Sequence, residues 1–181
     1  YSVNNTYFTE LLRKELKIKM KRKIIYICEA MGGGVRRHLL DILVNIDLEK
    51  YEVYLLYGSS RIDDTFKNHM QYLEDRGITL IEIPELKREV SLVDDFRSAK
   101  SITKWIQEIK PDIVHCHSSK AGAIGRITSK MSKVKKVYYT PHAYSFQIPM
   151  ISLPKKITYQ ILEKILVRFS TKNIHVSFGE E

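Results

Sequence analysis

Three consecutive glycines, Gly32-Gly33-Gly34, follow the apolar run Ile24-Ile25-Tyr26-Ile27-Cys28 almost at once and lead directly into a helical pattern. In that pattern Val35, Leu39, Leu40, Ile42, Leu43 and Ile46 share one face, the 3.6-residue period of an amphipathic helix. A buried strand that passes through bare backbone into a helix N-terminus creates a place where an anion can sit. Glycine lets a ligand approach the chain closely, and the first N–H groups of the helix carry partial positive charge. The alternative is a tight strand-to-helix turn with no ligand.

The same alternation recurs along the chain. Strand-like runs cover Lys23–Cys28, Tyr51–Tyr57, Ile78–Ile83, Asp112–Cys116, Lys136–Thr140 and Asn173–Ser177. Helical faces lie between them: Phe66, Met70 and Leu73; then Phe96, Ala99, Ile102, Ile106 and Ile109; then Ile157, Ile161, Ile165 and Phe169. Short apolar strands alternating with amphipathic helices predict an α/β, doubly wound, mostly parallel sheet of about six strands with flanking helices. Ligands of such sheets bind beyond the carboxyl ends of the strands, near the point where strand order reverses.

At 181 residues and 44% hydrophobic content, the chain has material for one domain with a sizeable core. No apolar stretch approaches the roughly 18–20 residues that span a membrane, and residues 1–20 lack the apolar segment of a secretory signal, which argues for a cytoplasmic protein. Cys28 and Cys116 each close a predicted buried strand and read as reduced core thiols, not as a disulfide framework. The net charge of +9 is concentrated in two places. Residues 10–23 hold seven Lys/Arg against two Glu, and residues 126–136 hold Arg126, Lys130, Lys133, Lys135 and Lys136 with no acid. Such surfaces suit anionic lipid, phosphorylated small molecules or nucleic acid. No aromatics are interleaved as a single-strand platform would need, so specific nucleic-acid binding is not expected.

Both ends stand apart from this pattern. Phe8, Leu11, Leu12 and Leu16 have helical spacing in a leading basic segment, residues 1–20, which reads as an extra helix or an arm. Beyond Gly179 no terminal helix closes the fold, and the chain reads as cut.

Two strand ends carry titratable groups. The first runs His115-Cys116-His117-Ser118-Ser119-Lys120 into the small residues Ala121, Gly122, Ala123 and Gly125, which let the next helix lie close to the sheet. His115 and His117 share one side of a regular strand; as a metal site the pair has no third ligand nearby. One imidazole is expected to be a satisfied structural group and the other to face the cleft, while Ser118 or Ser119 can cap the helix. The second strand end is Thr140-Pro141-His142-Ala143-Tyr144-Ser145-Phe146. Proline ends ladder pairing, so His142 should emerge on the rim beside the glycine turn. Tyr144 and Phe146 line a ligand or cover apolar surface.

Met31-Gly32-Gly33-Gly34-Val35-Arg36-Arg37-His38, then Pro111 to Gly122, then Thr140-Pro141-His142-Ala143, resemble in order and spacing the amino-terminal domain of family 4 GT-B glycosyltransferases. The likeness is to enzymes of capsular and exopolysaccharide biosynthesis. Tyr159 and Glu163, ahead of Val176-Ser177, also match, so the resemblance covers residues 21–181. It implies a Rossmann-like domain whose glycine turn, Gly33 and Gly34, approaches the diphosphate of a nucleotide-sugar donor. It implies that His142 contacts the donor sugar at the reacting centre, by positioning and charge stabilisation. On the acceptor side it implies His117, Ser118 and Lys120, with Tyr144 beside them. Retention of anomeric configuration is implied, with no cofactor and no metal requirement. The partners implied are a nucleotide-sugar donor and a lipid-linked saccharide acceptor.

The family's second, donor-gripping domain is not among these residues. The fragment alone is therefore expected to be inactive, completed by that domain in cis or by a separate partner. A non-catalytic nucleotide or phosphometabolite module of the same doubly wound class is the alternative. A dinucleotide dehydrogenase is disfavoured, because Gly32-Gly33-Gly34-Val35-Arg36 is not Gly-x-Gly-x-x-Gly. Over residues 155–169, Lys155, Lys156, Lys164 and Arg168 flank an apolar stripe. Packing on the sheet is the first reading of that stripe. Contact with an anionic membrane surface, at the inner face of the cell membrane, is the second.

Overall fold

The computed structural model describes residues 20–147 and 150–176; the leading segment, read as a helix or an arm, and the end of the last predicted strand lie outside them. Six parallel strands form one sheet in the order β3-β2-β1-β4-β5-β6. They are β1 Arg22–Cys28, β2 Tyr51–Tyr57, β3 Thr79–Glu82, β4 Ile113–His117, β5 Lys136–Thr140 and β6 Lys172–Asn173. The helices are α1 Gly33–Asn45, α2 Asp64–Asp75, α3 Leu92–Ile109, α4 Ser119–Met131 and α5 Leu153–Leu166. From β1 in mid-sheet the order winds outward to β3, then crosses back to β4 beside β1. Strand order therefore reverses between β1 and β4, in the register Cys28 opposite His117.

A central strand covered on both faces must be apolar where it is covered, and β1 is from Ile24 to Cys28. Ile24, Tyr26 and Cys28 pack under Leu39 and Leu43 of α1 and Phe66 and Leu73 of α2. Ile25 and Ile27 face the opposite cluster, with Ile102 and Ile106 of α3 and Ala121 of α4. Cys28 and Cys116 are free, buried and divided between the two clusters. Helix boundaries follow local chemistry. Asp63 caps α2 by accepting from the Phe66 N–H at 2.9 Å, and Ser91 caps α3. Lys110, with φ 54°, ends α3 ahead of Pro111, which cannot continue a helix.

Two predicted helical faces differ from the burial that the structure shows. In α3 the buried stripe is Ser98, Ile102, Ile106 and Ile109, and Phe96 is 73% exposed. Ser98, and not Phe96, is the residue that the first turns of the helix bury. In α5 only Leu166 is buried, while Ile157, Ile161 and Ile165 are 46%, 53% and 51% exposed. Among the described residues this stripe does not pack on the sheet as first read. β6 is also shorter than expected.

α4 lies close to the sheet, as its small residues require. A Cβ on Gly122 would collide with the Tyr139 ring. Arg126, counted in the sequence as part of a solvated basic run, is fully buried. Its guanidinium lies 3.9 Å from the Tyr139 ring centroid, donates to Gly122 O at 2.8 Å, and pairs with Glu163 of α5 at 3.0 Å. That pair ties α4 to α5. Intrinsic propensity favours Ala over Gly in a helix by about 1 kcal/mol. Gly122→Ala should nevertheless destabilise the fold by about 1–3 kcal/mol through overpacking, read as a lowered urea midpoint; a raised midpoint would show that α4 has slack against Tyr139.

Candidate functional site

The carboxyl ends of β1, β4 and β5 converge where strand order reverses. Glu29, the residue after β1, is only 4% exposed. Its Oε2 accepts the Ala121 N–H in the first turn of α4 at 3.2 Å and also accepts from the Ser118 hydroxyl. A carboxylate from β1 therefore caps α4 in place of the serines. Ser118 occupies the N-cap position but makes no side-chain bond to its own helix, and its hydroxyl also donates to the His117 carbonyl. Three rim residues have left-handed backbone: Ser118 with φ 69°, His142 with φ 56° and Ala143 with φ 108°. Non-glycine residues held there are strained, a condition that clusters at ligand sites and switch regions.

The strained rim gathers histidines from three elements. His117 Nδ1 lies 3.0 Å from His142 Nε2, and the His38 ring of α1 sits 5.0 Å from that of His142. His115 is the satisfied structural imidazole, with Nε2 2.9 Å from Thr140 Oγ1. His117 does not face the cleft as predicted: it is fully buried behind His142, and its Nε2 has no partner among the described residues. A buried orphan N–H costs more than an orphan lone pair. The favoured assignment has His117 Nδ1–H donating to His142 Nε2. His142 then carries its own proton on Nδ1, the one ring atom left for a ligand.

The predicted glycine site is open but partly used. A Cβ on Gly33 or Gly34 would meet nothing within 4 Å, and Gly33 has φ +61°, which glycine alone adopts freely. The Gly33 N–H donates to Asp63 Oδ2 at 3.3 Å, and the same oxygen takes Arg36 Nε at 3.1 Å. One of the amides expected to meet phosphate thus already holds a carboxylate.

The other predicted residues are placed elsewhere. Lys120 pairs with Asp95 of α3 and donates to the Glu89 carbonyl at 2.7 Å; its ammonium is turned to α3 because acid and carbonyl meet it there. Tyr144 does not join the histidines. Its ring stacks on Phe146 at 4.9 Å and its hydroxyl meets His175 Nε2 at 3.0 Å, lining a pocket of about 450 Å³ against α5. Sequence reasoning gave no role to Glu29, His38 and Asp63. His38 had a signal, one helical turn beyond Gly34, whereas Glu29 and Asp63 act through contacts distant in sequence.

Burial sets the electrostatics. Desolvation lowers His115 to about 3 and His142 to about 4, neighbouring imidazoles adding to both, and pushes His117 well below 6.5. These rings are neutral at neutral pH. Desolvation also raises the Glu29 carboxyl, against the bonds from Ser118 and Ala121. A histidine whose folded pKa is depressed binds its proton more readily when unfolded. Its stabilising contribution is present above pH 6.5 and is lost as pH falls toward its folded value. The melting temperature should therefore drop between pH 6.5 and 4, and His142→Gln should flatten that limb. An identical acid limb in the variant would contradict the neutral state of His142 in the fold.

The description Glycosyltransferase Family 4 matches residues 32–179. Over 143 residues the chain is 35% identical to the UDP-Gal:alpha-D-GlcNAc-diphosphoundecaprenol alpha-1,3-galactosyltransferase of Escherichia coli, covering 78% of this chain and 35% of that relative. The chain thus spans about a third of that relative's length. Among solved structures, sucrose-phosphate synthase from Thermosynechococcus elongatus superposes with a TM-score of 0.66 at 12% identity, over 88% of this chain and 43% of that one. MurG from Acinetobacter baumannii gives 0.60 at 12% identity, over 88% and 42%. These two likenesses concern the Rossmann-like fold of GT-B proteins. By the family match and the galactosyltransferase identity together, the chain belongs to glycosyltransferase family 4.

Proposed function

We propose that this chain is the acceptor-facing, amino-terminal half of a retaining GT-B glycosyltransferase. It would act in the cytoplasm on a nucleotide-sugar donor and a lipid-linked saccharide acceptor, in bacterial surface polysaccharide biosynthesis. The observation that carries the reading is the strained rim imidazole, His142, standing beside α1 and its open glycine turn at the switch point. A GT-B site lies between two domains, so the donor-binding domain in cis, or a separate partner, completes this one. The relative of known activity makes UDP-galactose and a diphosphoundecaprenol-linked acceptor the first pair to assay.

In this reading the bond between the donor sugar and its diphosphate breaks as the acceptor hydroxyl attacks from the same face. The diphosphate leaves with the electron pair, and its freed oxygen takes the proton of the attacking hydroxyl. The exposed backbone of Gly33 and Gly34 lets the diphosphate approach the N-terminus of α1. His142, neutral and braced by His117, offers one N–H to the donor sugar or to charge developing near it. The brace removes the reorganisation that a free side chain would need at the moment of reaction.

α5 suits the acceptor's lipid carrier. Leu153, Ile157, Ile161 and Ile165 are exposed beside the exposed Lys155, Lys156 and Lys164, apolar and basic groups as an anionic surface requires. No helix among the described residues is long and apolar enough to cross a membrane, so the contact proposed here is peripheral.

Two measurements test these assignments. In the enzyme carrying this chain, His142→Ala should lower kcat by about 10²–10³ with a smaller change in KM for the donor; undiminished turnover would remove its role. The chain should co-sediment with anionic vesicles, and Ile157→Glu with Ile161→Glu should release it without loss of its circular dichroism. Equal recovery on neutral vesicles would end the membrane reading.

A further inference from the structure

We propose that His38, His117 and His142 form a binding site for a divalent transition-metal ion of the zinc class, an inference that does not rest on the sugar-transfer reading. One ring nitrogen from each lies within 4.8 Å of the others. The three residues come from α1, the end of β4 and the loop after β5, so the site exists only in the folded chain.

Chemistry narrows the occupant. The group contains imidazoles alone, with no carboxylate. Hard cations such as Mg²⁺ and Ca²⁺ take oxygen ligands, whereas imidazole suits Zn²⁺, Co²⁺, Ni²⁺ and Cu²⁺. Bonds of about 2.0–2.1 Å in tetrahedral array separate ligand nitrogens by roughly 3.3 Å. His117 Nδ1 and His142 Nε2, 3.0 Å apart, already meet that spacing. His38, half-buried and 5.0 Å ring to ring from His142, closes the set with a small ring movement. His117 is rigidly placed, being fully buried with the His115 and Tyr26 rings at 4.1 and 5.9 Å.

The protons balance. The ion enters the His117–His142 hydrogen bond, the shared proton is replaced by one on a distal ring nitrogen, and both facing lone pairs turn to the metal. Each imidazole stays neutral, and three protein ligands leave a fourth position open to water or a ligand oxygen.

The test is a Co²⁺ titration of the purified chain, free of any polyhistidine tag, followed by visible d–d absorption. One saturable equivalent with the intense bands of a tetrahedral site is expected, displaced by Zn²⁺ and not by Mg²⁺. His38→Gln and His142→Gln should each weaken binding by roughly tenfold or more; His69→Gln, at a half-buried residue of α2 outside the cluster, should leave it unchanged. Circular dichroism identifies any variant that fails to fold, and the conclusion then rests on the other. Absence of a saturable band, binding indifferent to both ligand variants, or equal competition by Mg²⁺ would overturn the site. None of these readouts depends on transferase activity.

Discussion

The rim depends on a carboxylate where water does not reach it. Glu29 leaves the end of β1 and delivers its carboxyl group to the head of α4, bonding Ala121 N–H and the Ser118 hydroxyl. An isolated buried carboxylate is costly, but here the helix dipole and two donors oppose that cost. The bond joins the two strands between which sheet order reverses. The glycine turn and the histidine strand end therefore hold one relative position, and the strained Ser118 persists because Glu29 holds its side chain while Ser118 N–H bonds Thr140 O at 3.1 Å.

Much of the fold was legible because its signals are local. Continuous apolar runs mark strands covered on both faces, and β2 and β5 occupy the residues that the runs delimit. Rotation of the helices was less legible. Periodicity counts apolar residues alone, so it picks Phe96, which is exposed, and passes over Ser98, which is buried. Likewise Arg126 reads as surface charge in a basic run, yet Tyr139 and Glu163, distant in sequence, give it a buried berth.

The candidate site was legible in part for the same reason. Motif spacing brought His142 to the rim by α1, but the order of the imidazoles in depth is tertiary. His117 is the inner ring and His142 the outer one. Nothing in the one-dimensional pattern announces that Lys120 is held by Asp95 or that Tyr144 turns toward α5. Side chains of similar promise in the sequence are divided by the sheet into an inner brace, an outer contact and plain scaffolding.

Asp63 has a further consequence. Its carboxylate is anchored at the start of α2 while its second oxygen rests on Gly33 N–H and Arg36. An incoming anion competes there with a tethered rival at high effective concentration. A weakly held solitary ion gains little from displacing it, whereas a ligand gripped at several points along its length can supply the displacement energy from elsewhere. The turn thereby discriminates by the reach of its visitor as well as by its charge.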